Sequence, residues 1–277
     1  MKSTIPPILL EQLQKLEPAE FTGTPPHVVS STGNHYFAKN STAGEAESLK
    51  QIAIAAPGLA PRVLAAGSDG RPYMITEYKN LSSLSDGAAS RLGERLATEL
   101  HRYKSSKGFG FGNGWFESWD KCFSAMIGDL LSQLVEKGGF TSLCAKGEDV
   151  RVSVIPKLLV VQPVLLHGDL WSGNTGVEAG EPVIFDPASY YGHNEADLAI
   201  GRIFGGIPKI FFETYHRHLP RTEPVGQYNL RGDLYQLFHY LNHTLLFGVC
   251  SAPSDSNSGH YASTAERKMD ILLAAKF

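Results

Sequence analysis

The sequence predicts an α+β chain in two lobes, a small β-rich N-terminal lobe with one main helix and a larger, mostly helical C-terminal lobe. Three observations carry this. Residues 1 to 78 mix short β-like segments with a single helical stretch; residues 79 to 277 are mostly helical in pattern; and two apolar runs inside the second lobe are separated by turn residues. With 277 residues, 42% hydrophobic and 19% charged, the chain can bury a full core, and the two lobes form one catalytic unit.

In order along the chain, β-like segments fall at about 26 to 31, 35 to 39 and 73 to 77, with a helix at about 43 to 56. That helix turns Leu49, Ile52, Ala53 and Ala56 to one side. Glu45 lies one turn before Leu49 and beside this apolar face, whereas Glu47 points away from it. In the second lobe, Leu92, Leu96, Leu100 and Tyr103 share a face of a helix predicted over 91 to 103. Residues 251 to 263 are rich in serine and glycine and read as a mobile loop, followed by a last helix at 264 to 273. No internal repeat is visible.

The chemistry concentrates in His167-Gly168-Asp169-Leu170-Trp171-Ser172-Gly173-Asn174, followed twelve positions later by Asp186 in Phe185-Asp186-Pro187-Ala188. Val164-Leu165-Leu166 runs into His167, a second apolar run ends at Asp186, and Glu178-Ala179-Gly180-Glu181 is turn chemistry. The simplest hairpin register pairs residues whose numbers sum to 360 and sets Asn174 opposite Asp186, so that both oxygens reach one cation. Mg²⁺ suits such a site, because it takes few protein oxygens and keeps its other positions for water and phosphate. Asp169, left without a metal duty, can accept a proton from a substrate hydroxyl. Base, two metal ligands and a strand-ending lysine at Lys39 are the parts of a phosphotransferase that uses ATP.

These segments, HGDLWSGN and DPASYYGH, together with the later stretch of residues 234 to 243, resemble the fructosamine kinase family of ketosamine-3-kinases. The likeness is tight from about Val164 to Gly248 and thinner before it. It implies a protein-kinase-like fold shared with aminoglycoside phosphotransferases, with residues 1 to 78 binding the nucleotide and 79 to 277 holding the catalytic and acceptor sites. It implies that the backbone at Glu77 and Tyr78 meets the adenine edge, although the same residues fit an ordinary strand-to-loop transition. His167 would fix the catalytic loop. Asp197 would brace that loop's backbone or simply serve as an acid at a helix start. Trp171 would stack on the sugar of the acceptor or lie in the core.

Glu45 has two available roles, as the ion-pair partner of Lys39 or as the acid of a capping box begun by Thr42. Two departures from the family pattern stand out. Five residues separate Lys39 from Glu45, and the phosphate-covering loop at 21 to 27 holds a single glycine and a proline pair. The implied substrate is a ketosamine, free or protein-bound, phosphorylated on its 3-hydroxyl and thereby set on a path to deglycation. A phosphotransferase for aminoglycosides, choline or homoserine and a non-catalytic pseudokinase are the alternatives.

Lysine plus arginine total 25 against 28 acids, a net charge of −3, which argues against a nucleic-acid surface. No apolar run reaches a membrane span, and residues 1 to 7 lack the apolar core of a secretory signal. Cys122, Cys144 and Cys250 have no metal-ligand spacing and fit reduced packing residues, so a cytoplasmic monomer is expected.

Overall fold

The computed structural model describes residues 5–41, 43–111, 114–158, 161–248 and 258–276. The chain opens with α1 (Pro7–Leu16), β1 (Phe21–Thr24), β2 (His27–Ser30), β3 (His35–Asn40), α2 (Ala43–Ala55), β4 (Val63–Asp69), β5 (Arg71–Glu77) and α3 (Asp86–Thr98). It continues with β6 (Phe109–Phe111), β7 (Gly114–Phe116), α4 (Trp119–Lys137), α5 (Thr141–Ser153), α6 (Ile155–Leu158), β8 (Val164–Leu165), β9 (Thr175–Glu178) and β10 (Glu181–Ile184). The last elements are β11 (Tyr191–Gly192), α7 (Asn194–Ile203), α8 (Lys209–His218), α9 (Tyr228–Phe247) and α10 (Ser258–Ala274).

By contact the chain groups into two compact units. One comprises Met1–Tyr103, His167–Ser189 and Gly206–His218, and the other comprises Lys104–Leu166, Tyr190–Gly205 and Leu219–Phe277. The first carries an antiparallel sheet in the order β1-β2-β3-β5-β4. Strand alternation divides its faces. Val28, Ala38 and Ile75 point into an apolar cluster with Leu9 and Leu13 of α1, while His35, Phe37 and Lys39 alternate onto the opposite face. Helix α1 starts with proline in its first turn, where the missing N–H costs nothing.

The second unit gathers α4, α5, α6, α7, α9 and α10 around a core that includes Trp119, Phe123, Leu131, Leu234, Leu241 and Met269. Its short strands form a sheet in the order β7-β6-β11-β8. Cys122 and Cys144 are free, buried packing residues, and burial pushes the Cys122 thiol up to about 11; Cys250 lies outside the described residues. No helix among the described residues is long and apolar enough to cross a membrane.

Several expectations change. The helix predicted over 91 to 103 begins earlier, because Ser85 accepts the Ala88 N–H as an N-cap, and it ends at Thr98 before a 3₁₀ turn at Leu100–Arg102. Leu92, Leu96 and Leu100 are buried all the same. Strands β1 and β4 and helix α1 went unpredicted. Of the loop expected at 251 to 263, residues 251 to 257 lie outside the described residues, and 258 to 263 belong to α10.

The hairpin register also differs from the one predicted. Glu181 pairs with Glu178 and Ile184 with Thr175, so paired numbers sum to 359 and Asn174 meets Phe185 instead of Asp186. The cause is the turn. Ala179 and Gly180 both take positive φ, 50° and 88°, making a two-residue loop of the kind that matches strand twist. A two-residue loop forces an odd sum, whereas the expected even sum needed an odd-length loop.

Candidate active site

The segment from His167 to Asn174 is held by the His167 ring and by backbone hydrogen bonds. His167 is fully buried; its Nδ1 accepts the Asp169 N–H at 3.2 Å, which leaves Nε2 to donate to the Phe185 carbonyl at 3.0 Å. The imidazole is thus a neutral Nε2–H tautomer that ties the two loops together. The Ala188 N–H donates to the His167 carbonyl at 2.9 Å, and the Phe185 N–H to the Asn174 carbonyl at 3.1 Å. Gly168 must be glycine here, since its φ is 86° and a Cβ would stand 2.0 Å from the Ala188 oxygen.

Asp169 is partly buried, and Asn174 fixes it. The Asn174 amide nitrogen donates to Asp169 Oδ2 at 2.8 Å and to the Asp169 carbonyl at 2.9 Å. With the nitrogen so engaged, the side-chain oxygen of Asn174 is the end available to a cation. Asp186 follows at φ 51°, out of the strand's alternation, and its Oδ1 accepts from Lys39 Nζ at 2.6 Å. A carbonyl and a carboxylate oxygen are hard donors and fit Mg²⁺, which leaves the rest of its shell to water and phosphate.

Lys39 is the junction. The same Nζ lies 2.9 Å from Glu45 Oε1, and the other oxygen of that carboxylate accepts from Ser41 Oγ at 2.7 Å. Burial works against the Lys39 charge, but the bonds to Asp186 and Glu45 outweigh it and raise the pKa above the usual lysine value. Thr42, the start of the rival capping box, lies outside the described residues. Glu47 is exposed and accepts a hydrogen bond along its own helix from Gln51 at 2.9 Å.

The Glu77 N–H donates to the Arg62 carbonyl at 3.0 Å and is thereby engaged within the protein. The ring of Tyr78 stacks on His27 at 4.4 Å between centroids, and His27 Nε2 lies 2.8 Å from His35 Nδ1. Beyond it, Lys79 Nζ bridges Glu77 at 3.1 Å and Glu178 at 2.9 Å. The Asn80 N–H donates to the same Glu178 carboxylate at 2.9 Å, so this connection is stitched to the β9–β10 hairpin. Neither the ring stack nor the Lys79 bridge was foreseen. The alternation of His35, Phe37 and Lys39 was the signal for the first.

Trp171 is partly exposed and lies outside the core; its indole crosses Gly173, where a Cβ would come within 2.3 Å of the ring. A side chain at 173 would therefore displace the indole. Asp197 sits in the first turn of α7, where a helix-start acid falls, and is buried at 1% exposure.

The sequence profile of the fructosamine kinase family matches residues 28–275. The chain belongs to the fructosamine kinase family. It is 32% identical over 247 residues to a probable ketoamine kinase of Vibrio parahaemolyticus, covering 83% of this chain and 80% of that one. It is 37% identical over 195 residues to the chloroplastic protein-ribulosamine 3-kinase of Arabidopsis thaliana, covering 65% of this chain and 58% of the plant protein. A candidate fructosamine-3-kinase from Haemophilus somnus superposes with a TM-score of 0.75 at 21% identity, over 95% of this chain and 96% of that one. The fold is the protein-kinase-like one, and membership of a kinase family implies ATP as phosphoryl donor.

Proposed function

We propose that this chain is an ATP- and Mg²⁺-dependent ketosamine 3-kinase, acting as a cytoplasmic monomer on the 3-hydroxyl of sugar-amine adducts, free or protein-bound. The observation that carries it is the placement of Asp169, fixed by Asn174 and His167, in the same unit as the Lys39–Glu45–Asp186 cluster. Family membership supplies the acceptor class.

Asp169 orients the hydroxyl and accepts its proton as the oxygen bonds to the γ-phosphorus and the bond to the β-phosphate oxygen breaks. Lys39, braced by Glu45, steadies the α- and β-phosphates, and the backbone at Glu77 and Tyr78 borders the adenine. Asn174 and Asp186 would hold Mg²⁺, which neutralises charge on the transferring group when bound. Trp171 offers its face to the sugar. Residues 1 to 78 serve the nucleotide, and 79 to 277 hold the catalytic and acceptor sites. Phosphate beside the ketose carbonyl is a better leaving group than hydroxide, so the product sheds phosphate and frees the amine, which is deglycation.

The test is ADP release on a panel of ribulosamine and fructosamine of lysine, the free sugars, an aminoglycoside, choline and homoserine. Turnover is expected on the ketosamines ahead of the free sugars. Confinement to any of the last three would overturn the acceptor, and absence of turnover with ATP still bound would favour a pseudokinase. Asp169→Asn should lower kcat by about 10²-fold or more with ATP binding near normal. An equal loss of both would make Asp169 a metal or folding residue.

A further inference from the structure

Among the described residues, an ion pair and a hydrogen bond link helix α2 to Asp186 and the segment after it. The ion pair centres on Lys39, shared between Glu45 and Asp186. The hydrogen bond is made by Ser48, which lies one turn along α2 from Glu45 and is buried. Its Oγ donates to the Gly44 carbonyl at 2.7 Å and accepts the Ser189 N–H at 3.1 Å. A hydroxyl has one proton, and this one is committed to Gly44, so the lone pair facing Ser189 has a set direction. The Ser189 hydroxyl is itself buried and has no hydrogen-bond partner among the described residues, so its polar link to α2 runs through the amide and not the side chain.

Leu49 and Ile52 beside Ser48 are buried and supply apolar area to α2. Such burial is non-directional and does not select one sliding position of a helix over another. A directed hydrogen bond to a backbone amide three residues past Asp186 does. A slide of about 1 Å directed away from Lys39 would lengthen the 2.9 Å contact of Glu45 with that lysine beyond hydrogen-bond length.

We propose that Ser48 is a positioning residue: through the Ser189 amide it sets α2 against the Asp186 segment, so that Glu45 and Asp186 meet one lysine nitrogen. This rests on the kinase reading, since Lys39 must be aimed for phosphoryl transfer. The hydroxyl touches neither nucleotide nor acceptor and acts only through Glu45 and Lys39.

The experiment is Ser48→Ala in the full chain, read in three ways. Exchange of the Ser189 amide hydrogen, followed by NMR, should speed up by about tenfold or more as its acceptor disappears. On whichever acceptor the unmodified chain turns over best, kcat should fall by about 3- to 10-fold, the loss that one hydrogen bond represents, with a smaller change in the KM for ATP. In a Glu45→Gln background the same substitution should cost less than about twofold, because the group it positions is already gone. An unchanged Ser189 exchange rate, an unchanged kcat, or a full and additive loss beside Glu45→Gln would each overturn the proposal. If the unmodified chain turns over no acceptor, the kinase reading fails first and the positioning role falls with it.

Discussion

Each unit contains an ion cluster built around a basic side chain, and the two are made on opposite plans. In the first, Lys39 stands between Glu45 and Asp186, with side chains 25%, 13% and 49% exposed. In the second, Arg231 faces Glu195 with both side chains 2% exposed or less. The arginine pair is nearly saturated, with four of the five guanidinium N–H groups engaged. Nε and one terminal nitrogen grip the two carboxylate oxygens at 2.7 and 3.2 Å, and the Thr222 and Pro224 carbonyls take further N–H groups at 2.6 and 3.2 Å. The Thr222 N–H closes the circuit on Glu195 at 2.8 Å.

A buried pair persists when nearly all of its donors and acceptors are answered, and a fork-to-fork arginine comes close to that. Lys39 is arranged otherwise: one ammonium serves two carboxylates, leaving a net negative charge whose more exposed end is Asp186. An incomplete cluster that opens on solvent can exchange its partners for a phosphate or a divalent cation. A nearly complete one inside a core can only hold the fold.

The comparison breaks most sharply if the two cations are removed in parallel. Arg231→Leu strands Glu195 in the core and should cost about 3 to 5 kcal/mol of stability, measured by denaturant unfolding. Lys39→Met should lose most ATP-dependent turnover with a far smaller change in the unfolding midpoint, because its carboxylate partners can be reached by water. A reversal of these two outcomes would exchange the roles assigned to the clusters.

A middle-sized effect comes from acid. Burial, joined by the nearby His243, pushes His239 in the second unit down to about 3 against the attraction of Asp197, so the folded protein keeps this imidazole neutral. A folded pKa below the unfolded one means that its stability contribution is full above about pH 6.5 and drains as pH falls toward 3. The slope should approach about 1.4 kcal/mol per pH unit in that window. Unfolding curves of His239→Gln should flatten there, and an unaltered slope would remove His239 as the acid-sensitive group.

The smallest effect sharpens the assignment within α2. Glu47→Ala should leave kcat, the KM for ATP and the melting temperature nearly unchanged, since Glu47 is exposed and its bond to Gln51 is a surface helix pair. A loss of turnover comparable to Lys39→Met would make it, and not Glu45, the partner that matters.

What could be read from the sequence alone was local. His167, Asp169, Asn174 and Asp186 fall within twenty residues, so their spacing and the flanking apolar runs bring them together whatever the rest of the chain does. Helix periodicity likewise turned Glu45 inward and Glu47 outward before any contact was known. The hairpin register escaped because it depends on Ala179 entering the left-handed region, which an alanine has no intrinsic tendency to do. The remaining decisions belong to tertiary structure. Lys39 and Asp186 are separated by 147 positions, and Ser48 and the Ser189 amide by 141. Arg231 finds Glu195 across 36. Such pairings arise when packed surfaces bring two groups within hydrogen-bond distance and exclude the water that would otherwise satisfy them, and no periodicity or short motif encodes that exclusion.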